Sequence, residues 1–374
     1  MSVNDRHVRE ALDRCLSRGL TFVAFRSPGG SVRIWVQHDP ALQLVEGASL
    51  DKAGRTFVVG TFFSQMGHVH VIRPDVEMVA GSDAETLDLH RLDDCKSGGG
   101  TSIASAKGLN KAGYVRAIAA AKSAFGTGAL KKVVLSRTAE VPFNPARTSA
   151  LFLEAEAAYP KSFICLSHTP LHGTWIGATP ERLLIAEEGR VLVDALAGTM
   201  PVGEAPNDAS RWGAKERDEQ DLVTGNILRK LELLGARNIA VDGPNVKATA
   251  PVAHLHSTVT ADLENIPPGT LALALHPTPA VCGEPTSEAQ AFILEYEPSP
   301  RTLYAGFWGP SDPNGCSEFH VNIRCMQVLD DHALIHVGAG ITNGSNAEDE
   351  WEETALKART WLSLIERLAA APIS

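Results

Sequence analysis

Two pairs of glutamates recur in this 374-residue chain at the same three-residue spacing, Glu216 with Glu219 and Glu350 with Glu353. Residues three apart on a helix share a face, so each pair would project two carboxylates in one direction. Four carboxylates from two helices could hold one hard divalent cation. Magnesium suits such a set, because it takes one or two carboxylates and keeps waters that a substrate oxygen can replace. Lys357 lies one turn beyond Glu353. Spacing alone still favours the plainer account, a solvated helix face. Lys132 opens the apolar run Val-Val-Leu, where a strand-end lysine reaching for water needs no chemistry. Glu181 follows Gly-Ala-Thr-Pro at a turn and could simply be exposed. Arg324 is either a surface residue or a clamp for a carboxylate. Gly338 and Gly340 permit close backbone approach to a ligand, although a lone Gly-x-Gly is weak evidence. No one of these features fixes a function.

The elements that would carry them can be read from periodicity. Residues 214–235 place Leu222, Val223, Ile227, Leu228, Leu231 and Leu234 at helical spacing, and residues 349–369 do the same with Trp351, Ala355, Ala358, Leu362 and Ile365. Between them, EFHVNIRCMQV alternates. Phe319, Val321, Ile323 and Cys325 would face one side and His320, Asn322 and Arg324 the other, as in a half-buried strand with a polar face. Upstream, KVVLSR, FICLSHTP, TWIGATPE, RLLIAE and RVLVDALAG read as short strands with few helices between them, which argues against a parallel βαβ sheet. Residues 1–95 open on an amphipathic helix and continue with β-like runs at Leu20–Phe25, Val32–Val36, Arg55–Thr61 and His68–Ile72, and carry no chemical motif. The stretch 96–108, KSGGGTSIASAKG, has the composition of a linker or mobile loop. A helix-like YVRAIAAAKSAF follows. The pattern predicts an α+β fold of large antiparallel sheets carrying helices, with no internal repeat.

Composition narrows the partners. A net charge of −10 leaves no basic stripe for nucleic acid, so an anionic substrate would need local cations or a metal to receive it. Six cysteines (Cys15, Cys95, Cys165, Cys282, Cys316 and Cys325) show no CxxC spacing and read as buried free thiols rather than disulfides or a zinc site. No run approaches the roughly 18 apolar residues of a membrane span, and the N-terminus lacks a signal-peptide core. The expectation is a cytoplasmic protein without nucleic-acid or membrane contacts.

Taken in order, ten stretches resemble the chorismate-utilising enzyme family: KVVLSR (132–137), GATPERLL (177–184), ALAGT (195–199), KERDEQDLV (215–223), VAHLHST (252–258), LALALHPTPAVCGEP (271–285), YAGFWG (304–309), EFHVNIRC (318–325), GAGI (338–341) and EWEETALK (350–357). The resemblance covers the motif-bearing region 112–365, with 1–95 as the variable half. It implies one large domain over 1–374, two stacked antiparallel sheets with helices outside and a central cleft. It also implies Mg2+ held by Glu219 and Glu353 directly and by Glu216 and Glu350 through water. Lys132 matches the lysine that activates water, and Glu181 the acid that protonates the leaving hydroxyl. Gly198, His254, Ala280, Tyr304, Arg324, Gly338 and Lys357 match the substrate pocket, with Arg324 and the backbone at Gly338 on the side-chain carboxylate.

Two positions select a branch. Ammonia-using relatives carry glutamine where this chain has Lys132, and those forming a covalent lysine adduct carry lysine where it has Ala197. Water is therefore the implied nucleophile, chorismate the substrate and isochorismate the product, with salicylate formation by subsequent pyruvate loss as the alternative. No glutamine amidotransferase subunit is implied, and a monomer or weak homodimer is expected. The product would serve menaquinone or siderophore synthesis. For Lys132 to act as base its pKa must fall, and for Glu181 to act as acid its pKa must rise. Asp218, Gln220, His256, Cys282 and Asn322 depart from the family pattern, which bears on substrate positioning rather than on the reaction class.

Overall fold

The computed structural model describes residues 3–64, 67–81, 88–99, 107–249, 251–263 and 266–370. Strand β1 (Phe22–Arg26) is buried along its whole length. Its side chains alternate between two cores: Val23 and Phe25 join one cluster, Phe22 and Ala24 the other. A strand covered on both faces needs apolar residues at every position. That is why Phe-Val-Ala-Phe shows no polar alternation.

This strand belongs to a nine-stranded antiparallel sheet ordered β14 (Gly283–Glu284), β7 (Lys132–Pro142), β18 (His332–Ile341), β17 (Cys325–Val328), β9 (Gly173–Thr179), β8 (Phe163–Thr169), β1, β2 (Arg33–Val36) and β6 (Val76–Val79). A second nine-stranded antiparallel sheet runs β12 (Arg237–Thr249), β13 (Val252–Asp262), β11 (Arg190–Pro201), β10 (Arg182–Glu187), β16 (Ser317–Val321), β15 (Phe307–Ser311), β4 (Thr56–Gly60), β5 (His68–Ile72) and β3 (Gln43–Glu46). The sheets meet face to face. Phe25 lies 5.2 Å from Phe57, and Phe163 stacks on His320 at 4.1 Å. Gly177 leaves room for Trp308 of the facing sheet, since a Cβ there would sit 2.6 Å from the indole. Residues before position 95 supply three strands to each sheet.

Helices α1 (Val3–Ser17), α3 (Thr148–Ala158) and α7 (Ala347–Ala370) cover the outer face of the first sheet, through Leu12, Phe152 and Trp361 against Ile164, Ile176 and Ile335. Helices α2 (Lys111–Gly126), α4 (Ala214–Leu233), α5 (Pro268–Leu275) and α6 (Thr286–Tyr296) join the larger core, where Val223, Ile227 and Leu231 form the buried stripe of α4. The α+β expectation agrees with this architecture. Helices α3, α5 and α6 have no counterpart in the sequence reading, because short, largely apolar segments show no helical polar stripe. The six cysteines are free, five of them buried. Among the described residues no helix is long and apolar enough to cross a membrane.

Two expectations need correction. EFHVNIRCMQV is not one half-buried strand: β16 ends at Val321 in the second sheet and β17 begins at Cys325 in the first. Arg324 takes a left-handed φ of 48° at this crossing, and the presumed polar face is buried, with His320 and Asn322 each 1% exposed. The linker reading also fails at its start. Ser97 bridges Leu20, and Gly98 N donates to Gly19 O at 2.9 Å; residues 100–106 of that stretch lie outside the described residues.

Beside the site, Arg301 ties α6 to β7 from a buried position. It donates to both oxygens of Glu297 (2.8 and 2.5 Å), to Val281 O (2.8 Å) and to Val134 O (2.7 Å), and its guanidinium lies over the Phe62 ring. Removing one partner of a buried pair strands the other charge. Arg301→Ala should therefore destabilise the protein by about 3–5 kcal/mol, read as a lower urea midpoint with unchanged slope; a loss below about 1 kcal/mol would contradict a structural role for this pair.

Candidate active site

The chain passes between the sheets twice beside the central cleft, and each passage carries a chemically suitable side chain. From β9 to β10 it crosses at Pro180–Glu181, and from β16 to β17 at Asn322–Arg324. The passages are hydrogen-bonded to each other: Val321 N donates to Glu181 O at 3.1 Å, and Ala178 N to Arg324 O at 3.0 Å. Asn322 anchors the second passage by donating from Nδ2 to Leu303 O at 2.9 Å. An acid and a guanidinium are thus set beside one cavity by backbone geometry.

That inner cavity, with about 590 Å3 of non-atom space when its opening to solvent is counted, is lined by residues of both sheets and of α4 and α7. Of the residues singled out from sequence, Glu181, Glu219, His254, Ala280, Tyr304, Arg324, Gly338 and Lys357 line it, as does Ala197. Glu181 is 2% exposed, so it is not the exposed turn residue that its position allowed. Its Oε1 is buried without a hydrogen-bond partner. Burial, reinforced by the charge of Asp194, lifts the carboxyl to about 8, against the opposing pull of Lys247, Lys132 and Lys357. At neutral pH this side chain is an acid that still holds its proton.

Lys132 is completely buried rather than reaching for water, and its Nζ lies 2.8 Å from Glu219 Oε1. Gly340 makes room for that pair, since a Cβ there would fall 2.3 Å from Glu219 Oε1 and 3.0 Å from Lys132 Cε. Burial alone would raise the Glu219 carboxyl, but the charges of Lys132, Lys357 and Lys215 outweigh it and hold the group below its ordinary value. Arg324 is 6% exposed. Its guanidinium donates to Thr360 Oγ1 (3.0 Å) and meets His254 Nε2 (3.2 Å), both neutral groups. Burial draws its pKa down to about 10, with Glu353 pulling the other way. Among the described residues it has no carboxylate in ion-pair contact, so an arriving anion would meet an unneutralised cation.

His254 is held neutral by burial and by the Arg324 charge. Its Nδ1 lies 3.1 Å from Gly198 O, so the ring donates there and turns its Nε2 lone pair to Arg324. Gly198 does not line the cavity. Its φ of +65° suits glycine, and a Cβ there would meet Glu216 O at 2.9 Å. Lys357 donates to Gly338 O at 3.0 Å and to Glu353 at 2.7 Å, and the Tyr304 ring stacks on His336.

Glu216, Glu350 and Glu353 line a second, outer cleft between α4 and α7, together with Lys215, and Thr199 borders both cavities. The carboxylates are paired with lysines: Glu219 with Lys132, Glu353 with Lys357, and Glu350 with Lys215 at 2.6 Å. Among the described residues no group of three or more His, Cys, Asp or Glu side chains converges as a ready metal site. A surplus of acid remains. Four carboxylates face three lysines, and the Glu350 Oε2 is buried beside Ser345 without a hydrogen bond of good geometry. Burial and the neighbouring Glu353 push the Glu350 carboxyl upward. An all-carboxylate donor set with an unsatisfied buried oxygen fits a hard divalent cation.

Sequence reasoning passed over Lys215, Thr199, Thr360 and His336. Lys215 opens KERDEQDLV and Thr199 closes ALAGT, so a place within a motif was the available signal. Thr360 and His336 carried none.

Comparison with known proteins agrees with this geometry. The family model described as chorismate binding enzyme matches residues 53–366. A putative isochorismate synthase of Mycobacterium tuberculosis is 36% identical over 255 residues, 64% of this chain and 68% of that protein. An isochorismate synthase of Bacillus subtilis is 32% identical over 250 residues, covering 63% of each chain. Among solved structures, a putative 2,3-dihydroxybenzoate-specific isochorismate synthase of Bacillus anthracis superposes with a TM-score of 0.77 at 24% identity, over 96% of this chain and 99% of that one. The menaquinone-specific isochorismate synthase of Escherichia coli gives 0.76 at 22% identity, over 95% and 91%. At those identities the likeness to solved structures is one of fold.

A protonated buried carboxyl has its own infrared carbonyl band. The band absent from Glu181→Gln should be present at pH 6 and disappear as pH rises through about 8; its loss below pH 6 would show that burial does not hold the proton.

Proposed function

Because the chain belongs to the chorismate-binding enzyme family, we propose that it converts chorismate reversibly to isochorismate. The observation that carries this reading is the make-up of the inner cavity. A neutral carboxylic acid, Glu181, faces it, a buried lysine, Lys132, stands behind Glu219 at its wall, and Ala197 occupies the wall where a nucleophilic lysine would otherwise project.

The reaction needs two proton transfers on opposite sides of a ring. Water adds at C2 and gives its proton to Lys132, the two ring double bonds shift, and the C4 hydroxyl leaves as water with the Glu181 proton. In this structure Lys132 commits its ammonium to Glu219. A base needs a free lone pair, so the forward reaction requires Lys132 first to give up a proton, to Glu219 or to water, and to leave that ion pair. In reverse, Glu181 is the base and Lys132 the acid. Arg324 receives the side-chain carboxylate, for which its burial among neutral partners prepares it, and Tyr304 and the Gly338 backbone border the same end. Ala280 shapes the wall. His254, fixed by Gly198 O, keeps Arg324 in place without adding charge.

The carboxylates of α4 and α7 would hold one Mg2+, Glu219 and Glu353 as its ligands and Glu216 and Glu350 through water. When bound, that ion anchors the ring carboxylate and spreads its charge. Lys357, placed between Glu353 and Gly338 O, keeps the ligand helix registered on β18. With water as nucleophile, no ammonia-supplying subunit is required.

Incubation with chorismate and Mg2+, followed by chromatography, should give an equilibrium mixture of chorismate and isochorismate that fails to form when chelator is added. Salicylate with pyruvate would replace this reading by one that includes elimination, and unchanged chorismate in saturating Mg2+ would overturn the enzymatic assignment. Lys132→Ala and Glu181→Gln should each lower kcat by at least about 100-fold while Mg2+-dependent ligand binding persists in calorimetry. A near-normal rate for Lys132→Ala would remove it as the base.

A further inference from the structure

Glu181 is the proton donor in the reading above, yet its carboxyl has little to hold it. One oxygen is buried without a partner, and the backbone bonds at this residue, Glu181 O from Val321 N and Glu181 N to Thr179 Oγ1 at 3.3 Å, fix the turn rather than the acid. The residues on either side are held differently. Arg182 grips Asp194 three times, through Nε to Oδ2 at 3.1 Å, Nη2 to Oδ1 at 2.8 Å and its backbone N to Oδ2 at 3.3 Å. Lys247 donates to Pro180 O at 2.9 Å and lies 3.6 Å from Asp194 Oδ2. His256 Nε2 approaches Asp194 Oδ1 to 3.0 Å.

Asp194 is therefore a hub to which β10, β12 and β13 each send one side chain, and its own side chain has no solvent exposure. Burial opposes its charge, but His256 and Arg182 outweigh that and hold the carboxyl well below its usual range. We propose that Asp194 is the positioning residue for Glu181: it fixes both ends of the Pro180–Arg182 turn, through Arg182 on one side and Lys247 on the other, and so aims the Glu181 carboxyl into the inner cavity. Asp194 acts through the turn and through its charge, without touching substrate. The inference rests on the assignment of Glu181 as acid.

The charged groups facing Glu181 are Asp194 on β11, Lys247 on β12, Lys132 on β7 and Lys357 on α7, and Glu219, His254 and Arg324 line the same cavity. Removing the anion whose charge raises this carboxyl and removing a cation that lowers it must therefore move the acid in opposite directions. The test is the carbonyl band assigned by its absence in Glu181→Gln, titrated in three proteins. In Asp194→Asn the midpoint should fall by about one pH unit or more, and in Lys247→Gln it should rise by roughly half a unit. Both variants should lose kcat for chorismate, by about 10-fold or more in Asp194→Asn, with KM within about twofold of normal.

If Asp194 and Lys247 neither place nor bias the acid, their loss costs thermal stability and leaves both midpoints where they were, and that result overturns the proposal. Should Asp194→Asn fail to fold, Lys247→Gln decides alone, because its side chain is partly exposed and an unmoved midpoint there is equally fatal. The titration needs no turnover. A wild-type protein inert toward chorismate would thus sink the proposed function while leaving the positioning result readable.

Discussion

The site depends on two passages of backbone between sheets that are bonded to one another. Each passage alone would be an irregular, buried stretch with polar groups needing partners. Together they satisfy part of that demand, Glu181 O taking Val321 N and Arg324 O taking Ala178 N. The left-handed backbone at Arg324 is tolerated because Trp361 Nε1 and Ala178 N both hold its carbonyl. Strain of this kind persists where surroundings over-determine it. The relative placement of the two backbone passages is consequently a property of the two-sheet scaffold.

Charge is the second constraint. Lys132, Glu181, Asp194, Arg324 and Glu350 are all essentially removed from water, an arrangement that is costly unless each charge is paired or neutralised. The molecule solves the problem differently at each position. Glu181 keeps its proton, Asp194 collects cations, Lys132 takes Glu219, and Arg324 is left with neutral partners. The differences map onto the proposed roles. The proposed acid sits where burial keeps its proton on near neutral pH, and the group that is to receive an anion is left lacking one.

The sequence was most informative where periodicity and spacing coincide. The stripe Val223, Ile227 and Leu231 located α4, and of the paired glutamates on α4 and α7 three face the outer cleft while Glu219 faces the inner cavity. Periodicity misled at EFHVNIRCMQV, because alternation continues smoothly through the residues where the chain leaves one sheet for the other. A one-dimensional pattern carries no record of which sheet a strand joins. Burial was misjudged for the same reason. Lys132, Glu181 and Arg324 each had an ordinary surface explanation, and only three-dimensional neighbours such as Gly340 and Thr360, remote in sequence, removed it. The ordered motifs located the cavity wall correctly, yet Asp194 lies just ahead of ALAGT and gave no sign of joining three strands.

Helix α7 deserves a different kind of reading, in terms of the order in which the chain is made. Every other contributor to the site precedes it, both sheet passages included. Yet α7 supplies Glu350 and Glu353, donates Trp361 Nε1 to Arg324 O, and offers Thr360 to the same guanidinium. Without it, the outer face of the first sheet around Ile335 would be uncovered, and Arg324 would lose the indole donor to its carbonyl and the Thr360 hydroxyl. Without α7 the chain would hold Lys132, Glu181 and the α4 glutamates but neither Glu350 and Glu353 nor the Thr360 contact to Arg324. The segment that seals the outer face of the first sheet is thus also the one that completes the candidate site.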